Sequence, residues 1–220
     1  MANDPGGREK LLALGVRNVP VVSKGENYVF GQNLEDVAEF VGLQGTGHKP
    51  LPPDQLIRKW VLVLRAMQRY ARQIPTERIN ENVIDNRQRS IRLLMHHAFR
   101  IGEAYLESVI DGKEYAVQHA NVPPQDGTFL TGAEIAAYGE EVIGRLEAWW
   151  KGMEDKTLAK KIKTYYGMQP ISMVFERSTW HSAQHSRQIG HVPARMGLAP
   201  DGELTPEDLA GPAAPERLCE

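Results

Sequence analysis

The sequence reads TWHSAQHSRQI at residues 179–189 and contains no further helix breaker until Gly190. This pattern predicts a helix. His181 and His185 lie four residues apart, so on a helix both imidazoles share one face at neighbouring heights. The spacing is typical of a pair of metal ligands, although two histidines also fall at this spacing by chance. Because two imidazoles alone do not complete a metal site, we expect a third ligand from elsewhere in the chain.

The composition is that of a globular protein with a sizeable core. The 220 residues are 41% hydrophobic and 25% charged, which suits one domain with an appendage or two small domains. The net charge of −2 and a pI near 6.4 predict no nucleic-acid partner. Cys219 is the only cysteine, which excludes an intramolecular disulfide and a cysteine-based metal cluster. No stretch has the pattern of a signal peptide or a membrane span, so we expect a cytoplasmic protein with no membrane partner.

Four long amphipathic helices are predicted between residues 54 and 198. The first helix runs from Asp54, as N-cap, towards Pro75, and the second covers residues 87–110. The third runs from a capping box of Thr131 and Glu134 to about Met153, and the fourth runs from residue 171 or 172 through Ile189. With a long connection between the second and third helices, this pattern indicates a helix bundle. Residues 165–166 are expected to be strand-like or irregular, and residues 199–220 are expected to form a flexible tail.

The second helix supplies the third candidate ligand. His97 falls on the apolar stripe of that helix, whereas His96 is rotated by about 100° from it. We therefore predict that His97, His181 and His185 bind the metal, with His96 as the alternative to His97. Three neutral imidazoles suit Zn²⁺ best, and Ni²⁺, Mn²⁺ or Fe²⁺ are also feasible.

Two segments resemble the DinB superfamily, whose members are metal-binding four-helix bundles with one His on the second helix and a His-x-x-x-His pair on the fourth. The segments are SIRLLMHHA at residues 90–98 and WHSAQHSRQI at residues 180–189. The resemblance covers residues 54–198 and implies a mainly α fold, a DinB-like four-helix bundle. The family includes thiol-dependent enzymes, among them bacillithiol transferases and mycothiol-dependent maleylpyruvate isomerase. The resemblance therefore implies a small-molecule thiol as partner. It also implies a homodimer.

Residues 1–44 are predicted to form a small α/β appendage, followed by a Gly- and Pro-rich linker at residues 45–53. The expected elements are a helix over residues 8–14, a hairpin of strands at 19–22 and 28–30, and a helix over 34–41. The segments LGVRNVPVV at 14–22 and YVFGQNLEDV at 28–37 resemble the C-terminal half of a glutaredoxin. The half that carries that family's Cys-x-x-Cys nucleophile is absent.

The glutaredoxin resemblance implies a group of residues that hold glutathione through backbone groups, namely Val19, Pro20, Gln32 and Asn33. In that family the Val-Pro peptide is usually cis. The alternative interpretation is that the hairpin and helix merely cover the main domain.

These features favour a metal-dependent enzyme that uses a low-molecular-weight thiol, glutathione, for S-transfer, isomerisation or dehalogenation of a small electrophilic substrate. Coordination favours the thiolate, which is the nucleophilic form. The alternatives are a non-catalytic metal-binding stress-response or interaction module, and a metal-dependent hydrolase, which needs a nearby carboxylate base.

Several other side chains are candidates for supporting roles. Arg100, Tyr105 and Glu103 are candidate catalytic groups, and Arg89 is a further candidate for binding carboxylates. Gln184 and Arg187 are predicted to hold the metal-binding imidazoles in place.

Overall fold

The computed structural model describes residues 5–44, 49–84 and 88–211, and the chain divides into two compact units, residues 1–49 and 50–220. The first unit contains helix α1 (Pro5–Ala13), strands β1 (Val21–Lys24) and β2 (Asn27–Phe30), and helix α2 (Leu34–Val41). The two strands form the predicted antiparallel hairpin. Helix α1 begins earlier than predicted, and α2 has the predicted limits.

The limits of α2 follow from its caps. The side-chain oxygen of Asn33 accepts a hydrogen bond from the backbone N–H of Glu35 at 3.0 Å, which satisfies one of the free donors of the first turn. Gly42 ends the helix in the left-handed conformation, with φ 81°, which glycine adopts without a steric penalty. The Val19–Pro20 peptide in this unit is cis.

The second unit is built around a four-helix bundle. Its helices are α3 (Pro53–Gln73), α4 (Ile91–Ile110), α5 (Val117–Ala120), α6 (Gly132–Gly152), α7 (Ile171–Arg195) and α8 (Pro206–Leu209). Helices α3 and α4 each pack along both α6 and α7, so α3 and α4 occupy opposite corners of the bundle. The apolar stripes of the four long helices meet in the core around Trp60, Phe99, Tyr105 and Phe175, all fully buried. Within the described ranges, no helix is both long and apolar enough to cross a membrane.

Two of the helix starts predicted for the bundle are wrong. Helix α3 begins at Pro53, with Pro52 in the cap position, because the fixed φ of proline suits the first helical turn; Asp54 lies inside that turn. Helix α4 begins at Ile91 rather than at residue 87, after Ser90, whose hydroxyl accepts a backbone N–H of the first turn at 3.2 Å. Residues 88–90, which the prediction placed in the helix, are therefore not helical.

The connections between the long helices contain structure that the sequence pattern did not reveal. Helix α5 lies between α4 and α6, and α6 begins at the predicted cap, where the Thr131 hydroxyl accepts the backbone N–H of Glu134 at 3.2 Å. Between α6 and α7, strands β3 (Lys161–Thr164) and β4 (Gly167–Pro170) form an antiparallel hairpin. Tyr165 and Tyr166 form its turn.

The chain beyond α7 packs against the bundle as far as residue 211. Arg69 of α3 donates hydrogen bonds to the carbonyls of Asp201 and Gly202 at 3.1 and 2.9 Å, and the Tyr70 hydroxyl accepts the N–H of Leu204 at 3.0 Å. Residues 199–208, predicted as part of the tail, are thus held to α3 by hydrogen bonds. The remainder of the predicted tail, 212–220, and residues 45–48 of the predicted linker lie outside the described residues.

Candidate metal centre

Three imidazoles from two facing helices meet inside the bundle. His97 comes from α4, and His181 and His185 come from successive turns of α7. The ring centroids are 5.1 Å apart for His97 and His181, 5.0 Å for His97 and His185, and 4.7 Å for His181 and His185. One nitrogen of each ring lies within 4.8 Å of the other two. The structure therefore brings the three predicted ligands together.

Hydrogen bonds fix the orientation of two of these rings. Nδ1 of His97 lies 2.7 Å from the carbonyl oxygen of Ala120, which can only accept, so this nitrogen carries the proton. Nδ1 of His185 likewise donates to Oε1 of Gln188 at 2.8 Å. Both bonds leave Nε2 with a free lone pair. Nε2 of His185 is buried and has no hydrogen-bond partner within the described part of the chain, which is the expected state of an atom that binds a cation.

The surroundings keep the three imidazoles neutral. Burial lowers the pKa of His97 to about 3 and that of His185 to about 4. The pKa of His181 is also lowered, first by burial and then by the two neighbouring imidazoles. Since only a neutral imidazole has a lone pair for a metal, all three rings are in the ligating form at neutral pH.

A pocket opens beside the three imidazoles. Its volume is about 200 Å³, and it is lined by Val83, Ile84, Arg89, Leu94, His181, Gln184, His185 and Gln188. Three of these side chains are aliphatic, two are neutral amides and one is a guanidinium. A small molecule in this pocket would contact two of the three candidate ligands directly.

His96 lies in different surroundings from His97. Its ring stacks on Tyr138 with a centroid distance of 5.3 Å and an interplanar angle of 16°, and it also contacts Phe129. Burial lowers the pKa of His96 to about 4, so this ring too is neutral. Among the described residues, His97 belongs to the group of histidines that could share a metal ion, and His96 does not.

The three candidate catalytic residues do not line the pocket. Arg100 pairs with Glu103 at 3.4 Å, and Glu103 also accepts hydrogen bonds from the Tyr138 hydroxyl at 2.7 Å and from Arg145 at 3.0 Å. Tyr105 is fully buried among aromatic rings, and its hydroxyl has no hydrogen-bond partner among the described residues. The structure thus places Arg100 and Glu103 in a polar network and Tyr105 in the core.

Gln188 and the backbone carbonyl of Ala120 hold two of the imidazoles, and the sequence analysis assigned neither role. Gln184 lines the pocket and Arg187 does not, and the holding role predicted for these two residues stays a prediction. The signal for Gln188 was its position three residues after His185, where helix geometry brings the two side chains together. No sequence signal points to Ala120, because its contribution is a backbone carbonyl.

The four residues implied in glutathione binding lie in the first unit. Nε2 of Gln32 donates to the carbonyl of Val19 at 3.3 Å, and Asn33 caps α2. Pro20 follows Val19 across the cis peptide, and its carbonyl accepts the N–H of Gly31 at 2.9 Å. The hairpin thus brings Val19, Pro20 and Gln32 to the same end of the unit.

Comparisons with known proteins address the fold. No protein-family model and no curated protein match the sequence. The structure is similar to YfiT from Bacillus subtilis, which is described as a probable metal-dependent hydrolase with an unusual four-helix bundle topology. The TM-score is 0.50 and the sequence identity is 16%, and the match covers 69% of this chain and 95% of YfiT. This likeness supports a four-helix bundle fold for the chain. It is also similar to a mycothiol-dependent maleylpyruvate isomerase, with a TM-score of 0.47 over 72% of this chain and 66% of that one, at 14% identity.

Proposed function

We propose that this protein is a metal-dependent enzyme that activates a low-molecular-weight thiol, glutathione, for S-transfer, isomerisation or dehalogenation of a small electrophilic substrate. The observation that carries the proposal is the convergence of His97, His181 and His185 beside a pocket. The buried, unbonded Nε2 of His185 supports it, because a buried lone pair without a partner is costly.

The donor set fits a divalent cation. Three neutral imidazoles are the ligands of an open zinc site, in which the fourth position remains for an exogenous ligand, and Ni²⁺, Mn²⁺ or Fe²⁺ also accept such a set. One nitrogen of each ring lies within 4.8 Å of the other two, so the three residues could share one ion. A divalent cation held by these residues would lower the pKa of a coordinated thiol, so that the thiolate would predominate near neutral pH.

The protein's own residues supply orientation and shelter. The carbonyl of Ala120 and the amide of Gln188 hold His97 and His185 in the tautomer that presents Nε2. The aliphatic side chains of Val83 and Leu94 give one part of the pocket an apolar lining. A thiolate beside such a lining would be less solvated, and so more reactive, than one in bulk water.

We further propose that the first unit contributes to glutathione binding through Val19, Pro20, Gln32 and Asn33. The support is the resemblance of residues 14–37 to part of a glutaredoxin. Replacing Gln32 with Ala removes the hydrogen bond from its side chain to the carbonyl of Val19 and so loosens the backbone at the proposed site. This variant should bind glutathione more weakly in isothermal titration calorimetry, and metal analysis should show an unchanged metal content. A homodimer remains a prediction, which analytical ultracentrifugation would test.

The test of the main proposal combines metal analysis with a thermal-shift titration. We expect glutathione to raise the melting temperature of the metal-loaded protein and to have little effect on the metal-free protein, because the thiol binds through the ion. Replacing His181 with Ala should abolish metal binding and the glutathione-dependent shift together. Retention of the metal by this variant would contradict the proposed metal site. A glutathione shift that does not need metal would contradict binding of the thiol through the ion.

Metal-dependent hydrolysis is the second candidate function. The likeness to YfiT, a probable metal-dependent hydrolase, favours it. Hydrolysis by metal-bound hydroxide needs a base, and the described pocket lining contains no carboxylate. Turnover of ester or amide substrates by the zinc-loaded protein in the absence of any thiol would favour hydrolysis, whereas turnover that requires glutathione would favour the thiol-dependent enzyme. A protein with metal but no turnover and no glutathione affinity would be a non-catalytic module.

A further inference from the structure

Arg89 places a positive charge in the pocket beside the candidate metal centre. Its side chain is half-buried and lines the pocket together with His181 and His185. Its carbonyl accepts the backbone N–H of Val83 at 3.1 Å, which anchors the residue just before α4. Among the residues that the structure describes, the guanidinium makes no ion pair or hydrogen bond. Burial lowers the pKa of Arg89, as expected for a cation without a compensating anion.

A second arginine adds to this field. Arg177 precedes His181 by four residues on α7, so both side chains leave the same face of the helix. Its Nη2 donates to the hydroxyl of Tyr165 at 3.3 Å, while its buried Nε has no partner among the described atoms. Both arginines act on His181, whose pKa is lowered first by burial and then by its charged and polar neighbours, Arg177 and Arg89 included.

The formal charges that the described lining residues bring to the pocket therefore have one sign. Within the described part of the chain, the lining contains aliphatic side chains, neutral amides, neutral imidazoles and the guanidinium of Arg89. A divalent cation on the imidazoles would add two further positive charges. A ligand that neutralises such a site carries negative charge, and the planar fork of a guanidinium matches the two oxygens of a carboxylate.

We propose that the small molecule bound in this pocket carries a carboxylate, and that Arg89 binds this group through two parallel hydrogen bonds while Arg177 strengthens the positive field from the neighbouring turn. The proposal adds a carboxylate-binding residue to the proposed metal- and thiol-dependent site, and it rests on that proposed function for the identity of the reaction. Two sources of the carboxylate share this chemistry, namely glutathione, which has two carboxylates, and an acidic electrophile.

The test is isothermal titration calorimetry on the full-length, zinc-loaded protein with two probes. Succinate has carboxylates and no thiol, and glutathione has both. We expect Arg89→Met to weaken binding of at least one probe by about tenfold or more, because a charge-assisted hydrogen bond is lost. Arg89→Lys should lie between the wild type and Arg89→Met, since lysine keeps the charge and loses the fork. The matched control is Arg72→Met, at an exposed arginine of α3, which should change neither affinity.

Each outcome has a defined meaning. A loss of glutathione affinity assigns the carboxylate to the thiol cosubstrate, and a loss restricted to succinate assigns it to the electrophile. Equal affinities for wild type and Arg89→Met, or failure of both probes to bind the wild-type protein, would overturn the proposal. Circular dichroism and zinc content, measured for every variant, show that the variants are folded and loaded.

Titration of the metal-free protein with succinate separates this proposal from the proposed function. If the protein takes up no zinc but binds succinate in an Arg89-dependent manner, the metal-dependent function fails and the carboxylate site stands. If zinc binds normally and Arg89→Met changes nothing, the carboxylate site fails and the metal site stands.

Discussion

Replacing Gln188 with Leu should weaken metal binding although Gln188 is not a ligand. Its Oε1 accepts the Nδ1–H of His185 at 2.8 Å, and both side chains are buried, with 8% and 7% of their surface exposed. Without this acceptor, the ring either leaves Nδ1–H unpaired or moves the proton to Nε2, the nitrogen that must bind the ion. Loss of such a partner typically lowers metal affinity by roughly 10- to 100-fold, or about 1.4–2.7 kcal/mol.

The assay is a competition titration of the metal-free protein with Zn²⁺ against a chelator of known affinity. Gln188→Glu keeps an acceptor for His185 and should preserve the affinity. Gln184→Leu is the matched control, because Gln184 lies one turn earlier, also lines the pocket and makes no hydrogen bond to a described imidazole; its effect should stay within about 0.5 kcal/mol. A larger loss for Gln184→Leu than for Gln188→Leu would refute the reasoning.

Two further predictions concern stability. Burial lowers the pKa of His97 to about 3 and that of His185 to about 4. Below pH 6.5 the unfolded chain therefore binds protons that the folded protein does not bind. The free energy of unfolding of the metal-free protein should fall as the pH falls. From pH 7 to pH 5 we expect a loss on the order of 2 kcal/mol for each ring, measured by urea denaturation. Gly139→Ala should destabilise the protein by about 1–3 kcal/mol, because the added Cβ would lie 2.5 Å from the ring of Phe99. Gly144 lies on the same helix and has open space around it, so Gly144→Ala should stabilise the protein by up to about 1 kcal/mol.

Contrary results would be equally clear. A free energy of unfolding that is the same at pH 7 and pH 5 would mean that the imidazoles take up protons in the folded state as readily as in the unfolded chain. Equal effects of the two glycine substitutions would mean that α4 and α6 are not packed as closely as the structure has them at this point.

The sequence predicted the bundle because its helices are long and strongly periodic. The same periodicity separated His97 from His96, and the structure places these neighbours in different surroundings, one in the imidazole cluster and one stacked on Tyr138. Helix geometry also brought His181 and His185 to one face without knowledge of the rest of the fold. These inferences depend only on local spacing.

The features that the sequence did not predict depend on distant contacts. Ala120 acts through its backbone carbonyl on a ring 23 residues away, which no side-chain pattern can reveal. The β3–β4 hairpin consists of two four-residue strands, too short for a clear alternation of apolar and polar residues. The chain after Pro200 has the composition of a mobile tail, and its first part is held instead by hydrogen bonds to Arg69 and Tyr70.

The metal content of the purified protein, measured after incubation with Zn²⁺ and desalting, tests most directly whether the three imidazoles bind one divalent ion. We predict one zinc ion per chain for the wild type and a loss of zinc in each of His97→Ala, His181→Ala and His185→Ala, while His96→Ala, next to His97 but outside the cluster, retains it. Zinc retained by any of the first three variants, or lost in His96→Ala, would contradict a site built from His97, His181 and His185.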